Sequence, residues 1–289
     1  MQNFHPKTIL APTDFSDLAT YALGYAQSLA RCSGAKLIVA YADPFLPPPH
    51  FTALQMDAVV QSLEHSKGAA REFLAKYVRE HVTADIPAET LLLEELPVTG
   101  IVKAAQDQKA DLIVMGTHGR SGFSRAMLGS VSERVLRETR VPVLTVRHKK
   151  GETTPSGPVQ IKNVLCPVNY TEVSQYALAH AVAVAGCFEA ELTVLHVSEA
   201  HMKNAAVEAE MARLCSWVPA EYSSQCKIQH LVREGAAANE IIAQARSLGC
   251  DMIVLGAQHQ GFFDSTVIGT TSVRVVRHSP CPVLTVIRQ

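Results

Sequence analysis

The stretch 111–132, DLIVMGTHGRSGFSRAMLGSVS, carries the residue types and spacing best suited to holding an anion. An apolar run from Leu112 to Met115 leads into Gly116 and Gly119, after which Gly129 and Ser130 open a helical pattern marked by Val131, Val135 and Leu136. That order predicts a strand, a glycine-rich loop and a helix N-terminus. Glycine permits positive φ and lets a ligand approach the backbone amides, and a helix's first turn presents unpaired N–H groups at the positive end of its dipole. A phosphate is the natural guest. The competing reading is architectural: a corner turned into a helix capped by Ser130, with Glu133 completing a capping box. A glycine loop alone does not decide between the two.

Other chemistries find less support. There is no GxxxxGK[ST] loop to place a lysine on β and γ phosphates, and no SGGxDS-type loop. No Ser/His/Asp or Cys/His set stands at usable spacing. The seven cysteines (Cys32, Cys166, Cys187, Cys215, Cys226, Cys250, Cys281) form no CxxC pair and read as buried, reduced thiols. The twelve histidines are dispersed, so no metal site is expected from protein ligands alone.

The elements that must position the loop belong to a repeating βα pattern. Thr8–Thr13 reads as a strand, followed by a helix capped at Ser16 or Asp17 and stopped at Gly34, then a strand over Lys36–Ala42. Consecutive prolines make Asp43–Phe51 a loop, and Leu54–His81 reads as a long helix. A strand over Ala88–Glu94, a helix capped by Thr99, the strand Leu112–Met115, a helix over Ser130–Thr139 and a strand over Val141–Val146 complete a βαβαβαβαβ unit. Runs such as LIVM, apolar on both faces, fit a parallel sheet covered by helices on each side.

The unit then recurs. Tyr21–Leu23 returns as Tyr176–Leu178, an offset of 176 minus 21, or 155 residues; DLIVMG returns as DMIVLG at Asp251–Gly256, an offset of 256 minus 116, or 140. The first half therefore holds about fifteen extra residues, assigned to the proline-rich loop and its long helix. HKKGETTPSGP, at 148–158, has linker composition, which predicts domains over 1–150 and 159–289. At 289 residues with a formal net charge of -1, the chain suits two globular domains and has no charge to draw it to nucleic acid or an anionic membrane. No apolar run is long enough to span a bilayer and MQNFHPK lacks a signal-peptide core, so the expected location is the cytoplasm.

Gly116, Gly119, Gly129 and Ser130 together form GxxG-x9-G(S/T), which resembles the signature of the nucleotide-binding universal stress proteins. The resemblance implies two tandem open, doubly wound, five-stranded parallel α/β sheets of the adenine nucleotide alpha hydrolase-like kind, strand order 3-2-1-4-5, with the ligand where the order reverses. It also implies ATP, accompanied by Mg2+, as the ligand. Pro12, Thr13, Asp14 and Ala42 would line the adenosine side; Met115, Gly116, His118, Gly119, Gly129, Ser130, Val131 and Ser132 would supply the triphosphate side. Asp14, acceptor-only when ionised, suits ribose hydroxyls or base nitrogens, or else caps the first helix. Arg120 and Arg125 read as solvated.

In the second half the corresponding positions are Asn169, Val197, Gly256, His259, Gly269 and Thr270. His259 stands in place of Gly119 and Asn169 in place of Asp14, so this site is expected to be degenerate. VPVLTV and CPVLTV, the fifth strands, would join the halves as an internal pseudo-dimer, with a homodimer of chains as a further option. The function implied is a nucleotide-dependent stress-response or signalling module, at most a slow ATPase. The alternative is an interaction protein whose nucleotide site is vestigial.

Overall fold

Alternating apolar strands and one-sided helices fold as the pattern demands. The computed structural model describes residues 5–44, 53–119, 128–147, 158–199, 201, 204–257, 259–262 and 265–287, with side chains except at 53–63, 204, 259–262 and 265–268. The first half runs β1 (Thr8–Thr13), α1 (Asp17–Ser33), β2 (Lys36–Ala42), α2 (Ala53–His81), β3 (Ala88–Leu93), α3 (Pro97–Asp107), β4 (Leu112–Gly116), α4 (Ser130–Glu138) and β5 (Val143–Val146). The second runs β6 (Asn163–Val168), α5 (Glu172–Phe188), β7 (Glu191–Ser198), α6 (Asn204–Trp217), β8 (Ile228–Glu234), α7 (Ala237–Ser247), β9 (Met252–Ala257), β10 (His259–Phe262), β11 (Ser265–Ile268), α8 (Thr270–His278) and β12 (Val283–Ile287). Of the expected linker, 148–158, residues 148–157 lie outside the described residues, as does most of the proline-rich loop.

Each half has the order 3-2-1-4-5 with parallel neighbours. The two sheets are not separate. β5 and β12 pair antiparallel, Leu144 opposite Leu284, and make one ten-stranded sheet in the order β3-β2-β1-β4-β5-β12-β9-β6-β7-β8. A pseudo-twofold axis runs through this seam, as the apolar fifth strands led us to expect. The seam is reinforced where Thr145 Oγ1 donates to the Val283 carbonyl (3.2 Å) and buried Arg147 donates to the Ser279 carbonyl (2.6 Å) at the end of α8. Glu133 on α4 accepts from Arg137 (2.7 Å) and, across the halves, from Arg277 (3.2 Å).

Alternation along the strands feeds two apolar layers, each spanning both halves. Ile9, Ala11, Leu112 and Val114 face the layer under α1 and α5; Leu10, Ile113 and Met115 face the layer under α3 and α4. α1 begins at Ser16, whose Oγ accepts the Ala19 N–H (3.2 Å), and ends at left-handed Gly34, φ 67°. α2 has 29 residues and α6 has 14, a difference of 15 that accounts for the insertion.

Two caps differ from expectation. α3 starts not after Thr99 but at Pro97, whose ring presets φ for a first helical turn. α4 is preceded by Gly129, so Ser130 is its first helical residue and no side chain caps it. The cysteine reading also needs correction. Cys32 and Cys187 are joined as a disulfide, because the pseudo-twofold axis brings the ends of α1 and α5 together. Cys166, Cys250 and Cys281 are buried and outside any disulfide, as expected, whereas Cys215 is exposed.

A pH dependence follows from α5. His180, partly buried with Nδ1 on the Tyr176 carbonyl (2.7 Å), is pushed down to about 4 by burial. Its folded value lies below its unfolded one, so the unfolded chain binds the extra proton and stability falls as pH drops from about 6.5 to 4. Urea midpoints across that window should show a slope of up to ~1.4 kcal/mol per pH unit from this group. His180→Gln should flatten it; an unchanged slope would refute the assignment.

Candidate functional site

The β1–α1 turn is built on a conformation that few residues accept. Phe15 sits at φ 62° and its counterpart Tyr170 also at φ 62°. Such a left-handed bulky residue costs about 1 to 3 kcal/mol and persists only where packing holds it. Here the Phe15 ring packs on Tyr41 (centroids 4.6 Å), Phe73 (4.7 Å) and Tyr77 (5.1 Å). Burial pushes the Tyr77 phenol up, and its hydroxyl pairs with Thr20 Oγ1 at 2.8 Å. Thr13 Oγ1 accepts the Phe15 N–H (2.9 Å). Asp14 Oδ1 accepts from Ser16 N–H (3.1 Å) and Ser16 Oγ (2.6 Å), so Asp14 is not the helix cap but steadies it.

Opposite this turn lies the glycine loop. A Cβ on Gly119 would stand 2.5 Å from Asp14 Oδ2, so loop and strand-end acid touch only because residue 119 has no side chain. A Cβ on Gly116 would stand 2.9 Å from Leu18 Cγ, and one on Gly129 3.0 Å from the Thr117 carbonyl and 3.1 Å from His118 Cα. Gly129 N–H donates to that Thr117 carbonyl at 2.6 Å. The reason for glycine is therefore close backbone approach. None of the three has positive φ, and Gly129 itself has φ -67°, so the positive φ that glycine permits is not used at these positions. Ser132 Oγ donates to the Gly116 carbonyl (2.7 Å), and His118 Nδ1 pairs with Thr117 Oγ1 (3.1 Å). Arg120 and Arg125 lie outside the described residues.

Between turn and loop opens a cavity of about 550 Å³, within the size range of small-molecule sites. All twelve residues expected at the site line it: Pro12, Thr13, Asp14, Ala42, Met115, Gly116, His118, Gly119, Gly129, Ser130, Val131 and Ser132. Sequence reasoning missed Ala19, Ala40, Tyr41, Leu93, Pro97, Ile101 and Leu128, which also line it. Ala40 could have been found, since it lies two residues before Ala42 on a strand and so on the same face.

The second half holds a related cavity of about 500 Å³, lined by Asn169, Val197, Gly256, Gly269 and Thr270. Its walls differ. Leu195 pairs with Pro167 as Ala40 pairs with Pro12, so Leu195 and Val197 stand where the first cavity has Ala40 and Ala42. Asn169 Oδ1 accepts from Thr171 Oγ1 (2.7 Å) and Ser174 Oγ (2.6 Å). Among the described residues, a Cβ on Gly269 would meet nothing within 4 Å, unlike Gly129. The backbone of His259 opens the β10–β11 hairpin, opposite Ile268. Its side chain lies outside the described residues.

Comparison with known proteins places these features in a family. The family model described as "Universal stress protein family" matches residues 5–147 and again 160–286. A universal stress protein of Methanocaldococcus jannaschii is 35% identical over 147 residues, covering 50% of this chain and 85% of that protein. One from Thermus aquaticus is 38% identical over 146 residues, covering 49% and 98%. Along nearly the whole chain, the crystal structure of a universal stress protein from Archaeoglobus fulgidus superposes with a TM-score of 0.74 at 24% identity, covering 99% of this chain and 100% of that one, a likeness of fold.

Proposed function

The chain belongs to the universal stress protein family, and from that premise we propose that its first half binds ATP and serves as a nucleotide-dependent stress-response module. One observation carries the reading. Gly119 and Asp14, far apart in the sequence, meet beside a single cavity that both line, with Asp14 Oδ2 in the space a Cβ at 119 would fill. The apolar wall of Ala40, Ala42 and Ile101 suits a base, and Asp14 suits ribose hydroxyls. The first-turn amides of α4, at Ser130, Val131 and Ser132, suit phosphate oxygens. Among the described residues no group of three or more His, Cys, Asp or Glu could hold a metal ion, so Mg2+ would arrive on the phosphates.

The sequence has no GxxxxGK[ST] loop to bring a lysine to the β and γ phosphates, which favours binding, with at most slow hydrolysis, over turnover. The same reading takes 1–150 and 159–289 as two domains paired inside one chain, with a homodimer of chains as a further assembly, acting in the cytoplasm. Among the described residues no helix is long and apolar enough to cross a membrane. Calorimetric titration of the full chain with Mg-ATP, with native mass spectrometry of the purified protein, tests the proposal. Saturable heat and a bound adenine nucleotide are expected. Absence of both would favour an interaction protein with a vestigial site.

A further inference from the structure

Cys32 and Cys187 occupy the same place in the two halves. Each lies in the last turn of the first helix of its half, and they are 155 residues apart, the offset of the repeat in that helix. α1 and α5 approach each other across the pseudo-twofold axis that also passes between Leu144 and Leu284. The two Cα atoms are 6.0 Å apart, within ordinary disulfide reach. Cys32 is exposed and Cys187 half-buried, and both border a cavity of about 250 Å³ through which a small thiol could enter. Disulfides accessible in this way are the ones open to exchange.

We propose that Cys32 and Cys187 form a reversible thiol–disulfide couple that locks the two halves together in response to low-molecular-weight disulfides. In the locking direction, the thiolate of one cysteine attacks the small disulfide. That S–S bond breaks, one small thiol leaves, and a mixed disulfide remains on the protein. The second cysteine's thiolate then attacks the protein sulfur of the mixed disulfide, forming the Cys32–Cys187 bond and releasing the second small thiol. Two protein thiols are oxidised, one small disulfide is reduced to two thiols, and the two protons end on those leaving thiols. A dithiol reductant reverses both steps.

The placement gives the bond reach. α1 lines the first cavity through Ala19 near its N-terminus, and α5 lines the second through Val173 and Ser174. The lock therefore ties together the far ends of the two helices that each wall one cavity. It also closes a loop of 155 residues, which restricts the unfolded chain strongly.

The test uses the full chain, reduced with dithiothreitol, desalted and equilibrated in mixtures of reduced and oxidised glutathione, then alkylated with a mass-tagged maleimide. Cys32 and Cys187 should lose reactivity together, and peptide mapping should find them joined within one chain. Exposed, lone Cys215 should acquire glutathione without a protein partner. The oxidised chain should melt several degrees above the reduced one, and dithiothreitol should restore the lower melting point without denaturant. Cys32→Ser and, separately, Cys187→Ser should each melt like the reduced protein and hold glutathione on the remaining cysteine. A crosslink between chains, a bond to another cysteine, or a bond that native-state reduction cannot open would overturn the proposal.

Discussion

Replacing Gly129 with valine is expected to remove ATP binding from the first half, lowering affinity by at least about a hundredfold, or ~2.7 kcal/mol. The cause is crowding of backbone. A Cβ at 129 would lie 3.0 Å from the Thr117 carbonyl and 3.1 Å from His118 Cα, and these atoms cannot swing aside as a flexible side chain would. Two more methyl groups compound the clash. The loop must move away from α4, which breaks the 2.6 Å bond from Gly129 N–H to Thr117 and displaces the first-turn amides that would meet phosphate. Because φ at 129 is -67°, alanine tests crowding without conformational strain and should give an intermediate loss. Calorimetry with Mg-ATP on wild type, Gly129→Ala and Gly129→Val should rank in that order, with far-ultraviolet circular dichroism unchanged. Equal affinity for wild type and the valine variant would sink the site assignment.

What could be read from the chain beforehand was what depends on local pattern and repetition. LIVM and VPVLTV are apolar on both faces, so their burial as parallel strands required no partner to be known. The fifth-strand seam was legible because an apolar edge needs cover and a duplicated chain contains its own. Gly119 announced a close approach, but what approaches it, the carboxylate of Asp14, is a long-range fact that spacing does not contain. Left-handed Phe15 was invisible for a similar reason: no propensity favours an aromatic there, and Tyr41, Phe73 and Tyr77, which pack on its ring, come from distant parts of the chain. The Cys32–Cys187 bond left a trace that was overlooked. Each cysteine falls at the same position of the repeated first helix, and symmetry-related residues near a twofold axis are forced to meet. The β10–β11 hairpin has no glycine or proline signal at its start, so a loop was expected where strands pair.

Titration of the full chain with Mg-ATP is expected to saturate near one nucleotide per chain, with the second half at least about a hundredfold weaker. The difference follows from the walls of the second cavity. Leu195 and Val197 project where the first half has Ala40 and Ala42, adding branched bulk on the face proposed for the base. Forcing a rigid ring against such side chains costs about 1 to 3 kcal/mol, as other overpacking does. At the opposite end Asn169 replaces the carboxylate of Asp14. Its oxygen already accepts from Thr171 and Ser174, and a neutral amide forgoes a charge-assisted bond worth roughly 1.5 to 3 kcal/mol. Crowding at the base and a lost acceptor at the sugar act on one ligand, so the penalties combine to several kcal/mol, enough for the hundredfold difference. The size of the second cavity does not offset them, because volume without matched walls supplies no orientation. Leu195→Ala together with Val197→Ala and Asn169→Asp should raise the stoichiometry toward two. Two sites of similar affinity in the unmodified chain, or a triple variant that still binds one nucleotide while remaining folded, would show that these three side chains do not set the difference between the halves.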